Sequence, residues 1–453
     1  MPEPAPAPAR AGGAAGMTRR PICIGLSLAA TWLAGDGWRR PDSRVEDLHT
    51  LGFHADVARR AEAARLDFLF RPDALWVDPQ TLASGPGFSS LDPMVLLASL
   101  AACTSRIGLV ATASTTFGAP WTLARQLLSL HHLSGGRAGW NIVTSLDGAR
   151  NFGQAAMPDS RERYARALEF TDVVRRLWDS YPHHALPLDR ERGRYADPAR
   201  VRPIDHAGPV FDVQGPLNLP SLPCGAPPLF QAGASERGRD FAARVADGVF
   251  AASPDVAAGI ELRQDLRRRA VGHGRDADAI RVLPGLSLFL GETTDEARDL
   301  YRDTHARHDR ARAIAGLRDL LGLDAAALPP DRRIAPDMLA DPARPVRSRT
   351  HADLLRRLVE RERPTLRTLL ARPEVAGSAH WRVVGTPRDA VAAIVERVDA
   401  GAADGLIALP GGADRSLRLF LDEVVPMLAE GGRFRREYAG TTLREHLEPA
   451  QRA

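Results

Sequence analysis

The chain has 453 residues, 44% of them hydrophobic and 26% charged, and a formal net charge of +4. All 60 basic residues are arginine and none is lysine, which removes Schiff-base chemistry and a P-loop phosphate lysine. Three cysteines without a CxxC pair exclude a thiolate zinc site, interleaved acids leave no nucleic-acid-binding stripe, and no apolar run is long enough to span a membrane.

Residues 1–20 open with a Pro-, Ala- and Gly-rich stretch and are expected to form a disordered tail. Arg19-Arg20 ahead of 22–34 has the outline of a twin-arginine export signal. The better reading makes 22–28 the first strand, because Trp32 and Trp38 are poor signal-peptide residues. A helix is expected near 51–64, with Phe53, Val57 and Ala61 at helical spacing, then a strand at 67–71 stopped by Pro72. A helix near 92–102 leads to a strand at 106–112, and a helix at 121–132 to a strand at 137–144. A long helix follows at 161–178. Residues 181–227 are rich in Pro, Gly and His and read as a loop excursion with a small hairpin around 210–213. Strand 228–231, helix 235–245, strand 248–252, helix 256–271 and strand 281–290 come next. Residues 293–382 are Arg-rich and read as a helical insertion. Helix 387–399, strand 405–409, helix 417–429 and a tail complete the chain.

Eight strands alternating with helices predict an α/β fold, a (β/α)₈ barrel forming one domain over 21–447 with a tail at 448–453. A doubly wound sheet would want a GxGxxG turn after the first strand, and none is present. In a barrel, chemistry sits where the strands end. The fourth strand draws attention there: Gly135-Gly136-Arg137-Ala138-Gly139-Trp140-Asn141-Ile142-Val143-Thr144-Ser145 runs from a glycine turn into polar residues, with Asn151-Phe152-Gly153 beyond. A buried amide at Asn141 needs hydrogen-bond partners, from a ligand or from a neighbouring strand. Ser235 follows Gly233 just after a strand and opens a helix. Free amide N–H groups and the helix dipole favour an anion there, although serine is also an ordinary N-cap. His131-His132 at a helix end reads as structural, His183-His184 as part of the loop excursion. His305 and His308 are spaced i, i+3 without a matching carboxylate, so no metal site is expected. Trp32, Trp38 and His54 lie near the first strand as further candidates to face a ligand.

Several segments, in order, carry a resemblance. They include Trp38-Arg39-Arg40-Pro41, Phe68-Leu69-Phe70-Arg71-Pro72-Asp73, Ala111-Thr112-Ala113-Ser114-Thr115-Thr116 and the Trp140–Ser145 run. After these come Arg163-Tyr164, Leu177-Trp178-Asp179-Ser180, Gly215-Pro216-Leu217, Gln231-Ala232-Gly233-Ala234-Ser235 and Glu437-Tyr438-Ala439-Gly440-Thr441-Thr442-Leu443-Arg444. Together they resemble the nitrilotriacetate and dibenzothiophene-sulfone monooxygenase group of the bacterial-luciferase-like superfamily. The resemblance implies a luciferase-like TIM barrel and a cytoplasmic two-component monooxygenase. Such an enzyme takes FMNH₂ from an NAD(P)H:flavin reductase and uses O₂ to oxygenate a small sulfur- or nitrogen-containing substrate through a flavin C4a-peroxide. It also implies a homodimer or homotetramer. The arginine excess suits an anionic substrate. By the resemblance, Asp73 and Thr112 match flavin contacts, Asn141 lies on the signature strand, and Tyr164 and Ser235 hold the FMN phosphate. Ser160 stands where the family commonly has histidine; it keeps one hydrogen bond and loses the charge, which implies weaker phosphate binding. No general acid or base is assigned. The 293–382 insertion falls where the superfamily places mobile segments, so a water-excluding lid and a contact subdomain both remain open. An F420-dependent oxidoreductase and a non-catalytic flavin-binding protein are the alternatives.

Overall fold

The computed structural model describes residues 21–448 except 234, 307–309, 345, 347–348, 373–374 and 376–378. The expected N-terminal tail at 1–20, and the C-terminal one apart from Glu448, lie outside the described residues. Nine parallel strands make one sheet: β1 (Cys23–Ser27), β2 (Phe68–Arg71), β3 (Gly108–Ser114), β4 (Ala138–Val143), β5 (Leu229–Gln231), β6 (Gly248–Ala251), β7 (Arg281–Leu290), β8 (Trp381–Gly385) and β9 (Gly405–Pro410). Eight of them close a barrel, because β9 pairs with both β7 and β1. The strands read as nearly continuous apolar runs because both faces are covered, the outer by helices and the inner by the lumen. β1 is buried at all five positions, so the segment after Arg19-Arg20 is a central barrel strand.

The helices follow from amphipathic spacing with matching caps. Leu51–Ala63 buries Phe53, Val57 and Ala61, and Thr50 caps it by accepting from the Phe53 amide. Ser160–Asp179 starts from a capping box in which Asp159 and Glu162 exchange side-chain and backbone bonds. Inside the barrel, Cys23, Phe68, Phe70, Val110, Phe230, Leu283 and Ile407 reach one another from six strands. Leu443 and Leu447 join them from a short helix, Leu443–Leu447, which closes the floor.

Two elements differ from expectation. Residues 381–382 belong to β8, a ninth strand, and not to a helical insertion. β8 pairs with Leu286–Leu290 on the upper half of β7, along the edge whose lower half, Arg281–Pro284, pairs with β6. Five residues alternating between buried and half-buried look like a strand only once that free edge exists. The floor helix falls where the sequence reads as a plain tail, because five residues give too little helical period. The final long helix runs as Asp414–Leu419, a π turn at Phe420–Val424, and Val425–Glu430. Between β7 and β8 the helices Thr294–Thr304, Arg310–Leu321, Arg349–Glu362 and Leu366–Leu370 are described. Part of this segment packs around its own core of Leu317, Leu321, Leu355, Leu358, Leu366 and Leu369. No helix among the described residues is long and apolar enough to cross a membrane.

Candidate functional site

The C-terminal strand ends gather the polar groups. Thr112 and Asn141 are register partners on β3 and β4, and both are buried. Asn141 Nδ2 donates to Thr112 Oγ1 at 2.9 Å, so the neighbouring strand supplies one partner for the amide. Asn141 Oδ1 is fully buried and has no partner among the described residues. An orphaned buried carbonyl costs roughly 1–3 kcal/mol, and a donor on a bound ring edge would remove that penalty.

A second group lies beyond β5. Ser235 caps the helix Glu236–Val245 by accepting from the Gly238 amide at 3.3 Å. The first turn of any helix leaves amide N–H groups without intrahelical acceptors, and its dipole favours an anion. Tyr164, on the helix that begins at Ser160, packs on Phe241 with ring centroids 5.9 Å apart and brings its hydroxyl to this loop. A Cβ on Gly233 would come within 2.7 Å of Tyr164 Oη and 2.5 Å of Gln231 Nε2, and one on Gly238 within 2.8 Å of Oη. Two glycines, a tyrosine hydroxyl and a helix N-terminus thus form a small polar cradle, which fits a phosphate. Ser160 is one turn before Tyr164, half-buried.

Asp73 follows β2 and is half-buried. Burial pushes its carboxyl above the usual range and Asp92 adds to this, against the lowering effect of the Ala74 amide and Arg71. No hydrogen bond or ion pair joins it to the other candidates among the described residues. The structure therefore assembles Thr112 with Asn141, and brings Tyr164 to the Ser235 loop, and does not join Asp73, just after β2, to either pair.

His131 and His132 bond the carbonyls of Gly225 (3.1 Å) and Pro220 (2.7 Å), tying the loop excursion to the barrel, and His183 and His184 are exposed. Trp32 is buried against Phe53, and Trp38 Nε1 donates to Ser84 at 2.8 Å. His54 is buried and bonds Leu48 O at 2.9 Å. His305 packs on Tyr301, and His308 lies outside the described residues.

Sequence reasoning passed over His380. Its ring stacks on Phe250 at 4.9 Å, and Phe250 packs on Phe70 at 5.1 Å within the lumen cluster. A Cβ on Gly285 of β7 would sit 2.4 Å from His380 Nδ1, so the glycine is what admits the ring. Nδ1 is buried and has no hydrogen-bond partner among the described residues. Burial, with His351 adding to it, pushes the imidazole down to about 4, so it is neutral near pH 7. The only sequence signal was position, directly before a strand unrecognised as one.

The sequence profile for luciferase-like monooxygenases matches residues 32–404. N-acetyl-S-(2-succino)cysteine monooxygenase of Bacillus subtilis (strain 168) is 37% identical over 434 residues, 95% of this chain and 97% of its own. Nitrilotriacetate monooxygenase component A of Aminobacter aminovorans is 37% identical over 424 residues, 91% of this chain and 92% of its own. Among solved structures, a riboflavin lyase with modified FMN and riboflavin matches with a TM-score of 0.81 at 31% identity, over 94% of this chain and 96% of its own. F420-dependent enzymes match at 14–15% identity, a likeness of fold alone.

Proposed function

Since this chain belongs to the luciferase-like monooxygenase family, we propose that the flavin it works with is FMN, held in reduced form at the C-terminal rim of the barrel. The chain is an oxygenating, flavin-dependent enzyme acting on a small organic molecule. The observation that carries the FMN reading is the Tyr164–Gly233–Gly238 cradle at the start of the helix Glu236–Val245. When bound, reduced flavin supplies two electrons and activates O₂, one oxygen atom going to the substrate and the other to water.

The chain's own residues bind, orient and exclude water. Tyr164 Oη, the Ser235 loop and Ser160 hold the phosphate. Asn141 Oδ1 accepts from a ring-edge N–H, while Thr112 fixes the amide's orientation through its Nδ2 bond. Asp73 offers a further polar contact at the rim. Below, the aromatic layer of Phe70, Phe250 and His380 keeps the lumen dry, which strengthens every polar contact above it. A separate NAD(P)H:flavin reductase supplies the reduced flavin, consistent with a relative named as a component A. The working unit is a homodimer or homotetramer in the cytoplasm.

FMN and riboflavin differ only at the phosphate, so their relative affinity tests the reading. Fluorescence titration is expected to give FMN about 100-fold tighter binding, about 2.7 kcal/mol; equal affinities would move the phosphate elsewhere. Gly233→Ala drives a methyl group into Tyr164 Oη and is expected to weaken FMN about tenfold while riboflavin binding stays unchanged. Ser160→Ala is expected to weaken FMN by about tenfold, because a hydrogen bond from a neutral hydroxyl to a charged phosphate is worth roughly 1.5–3 kcal/mol. Unchanged affinity would show that Ser160 makes no useful contact.

A further inference from the structure

A cavity of about 500 Å³ opens beside Pro254, which follows the end of β6 by three residues, and so lies on the same rim as the polar strand ends. Its walls are Pro254, Arg367, Thr368, Ala371, Arg372 and Arg382. Three of these six carry guanidinium groups and none carries a carboxylate. The pocket is open to solvent, with Arg367, Thr368 and Ala371 exposed, and its volume admits one end of a small organic ligand. None of Thr112, Asn141, Tyr164 or Ser235 lines it, so it is distinct from the flavin contacts.

We propose that this cavity receives the carboxylate end of a polyanionic substrate, with Arg382 as its anchoring cation and Arg372 and Arg367 completing the cationic wall. The inference rests on the flavin-monooxygenase reading and names the substrate class. Arg382 is fixed in place before any ligand arrives. Its guanidinium carbon stands 4.8 Å over the Tyr301 ring, and its nitrogens donate to Tyr301 Oη and to Ala371 O. It makes no ion pair among the described residues, whereas Arg372 stands 3.8 Å from Asp255 and Arg367 3.3 Å from Asp331. The anchoring position thus keeps its charge uncompensated and its geometry set, which lowers the ordering cost of binding a carboxylate. Arg382 follows the lumen residue His380 by two positions. At the start of β8, Arg382 stands in the cavity wall and His380 against the lumen residue Phe250.

The test is calorimetric titration of the full chain with N-acetyl-S-(2-succino)cysteine and citrate, each a tricarboxylate, and with dibenzothiophene sulfone as a neutral control. Wild type, Arg382→Gln and Arg382→Lys are compared, with thermal melts to confirm folding. A tricarboxylate is expected to bind more weakly as NaCl is raised and about tenfold more weakly to Arg382→Gln, with partial recovery in Arg382→Lys because the charge returns without the planar fork. FMN affinity is expected to stay within about twofold across the three. Three results would overturn the proposal: no tricarboxylate binding up to about 10 mM, unchanged affinity in Arg382→Gln, or a parallel loss of FMN affinity with riboflavin unaffected. The last would give the cavity to the flavin phosphate instead. If FMNH₂ itself fails to bind the wild type, the flavin reading fails; if FMNH₂ binds and no tricarboxylate does, only the present inference falls.

Discussion

Replacing Asn141 with leucine is expected to lower substrate oxygenation by about 100-fold, about 2.7 kcal/mol of transition-state stabilisation, while leaving the melting temperature unchanged or higher. The two effects diverge because the amide is poorly satisfied by the protein alone. Its Nδ2 bonds Thr112, but its Oδ1 is buried without a partner among the described residues. Leucine keeps the same branch at Cγ with the same number of side-chain heavy atoms and has no polar atoms, so the substitution removes a buried orphan and leaves the Thr112 hydroxyl with a single lost bond. If Asn141 orients the flavin ring, that gain in stability accompanies a loss of function. Thermal melts and FMNH₂-dependent product formation read the two effects separately. A variant that loses stability and keeps its activity would assign Asn141 to strand packing.

Arg435→Met is expected to destabilise the chain by about 3–5 kcal/mol, the usual cost of stranding a buried charge. Asp67 is fully buried at the foot of β2, where its carboxylate accepts from the Ile24 amide at 2.7 Å and pairs with Arg435. Arg435 also contacts His446 Nδ1 at 3.1 Å and stacks near Tyr438, whose hydroxyl bonds Leu66 O at 2.7 Å. The group lies at the end of the barrel opposite the candidate site, where the short helix Leu443–Leu447 enters the floor. Stability is therefore what it governs. Urea unfolding measures the loss. The double variant Asp67→Leu/Arg435→Met is expected to lose less than the sum of the singles, because neither charge is then left alone. A single-variant loss below about 1 kcal/mol would mean that water reaches Asp67 when its partner is gone.

What the sequence disclosed depended on how local the signal was. The barrel strands were legible because each is a short buried run bounded by Gly, Pro or polar residues, and the helices between them keep an apolar stripe. The Ser235 cradle was legible because strand, glycine, serine and helix stand within a few residues. Other features come from distant parts of the chain. β8 needs the unpaired upper edge of β7 to be recognised, and Leu443 needs the floor of the barrel. His380 acquires meaning only when Gly285, about 95 residues earlier, is found to make room for its ring. The orphaned Oδ1 of Asn141 is likewise a three-dimensional fact. The sequence places an amide in the strand, and only the packing leaves half of it unsatisfied.

The measurement that tests the account most directly is anaerobic loading of the purified chain with FMNH₂, then rapid mixing with O₂ while absorbance is followed from the near-UV to 450 nm. Recovery of the oxidised-flavin band is expected to lag well behind that of free FMNH₂ in the wild type, and to return to the free-flavin rate in Asn141→Leu. Reoxidation of the bound wild-type flavin at the free-flavin rate, with FMNH₂ binding confirmed in the same sample, would contradict the monooxygenase account and leave a flavin carrier in its place.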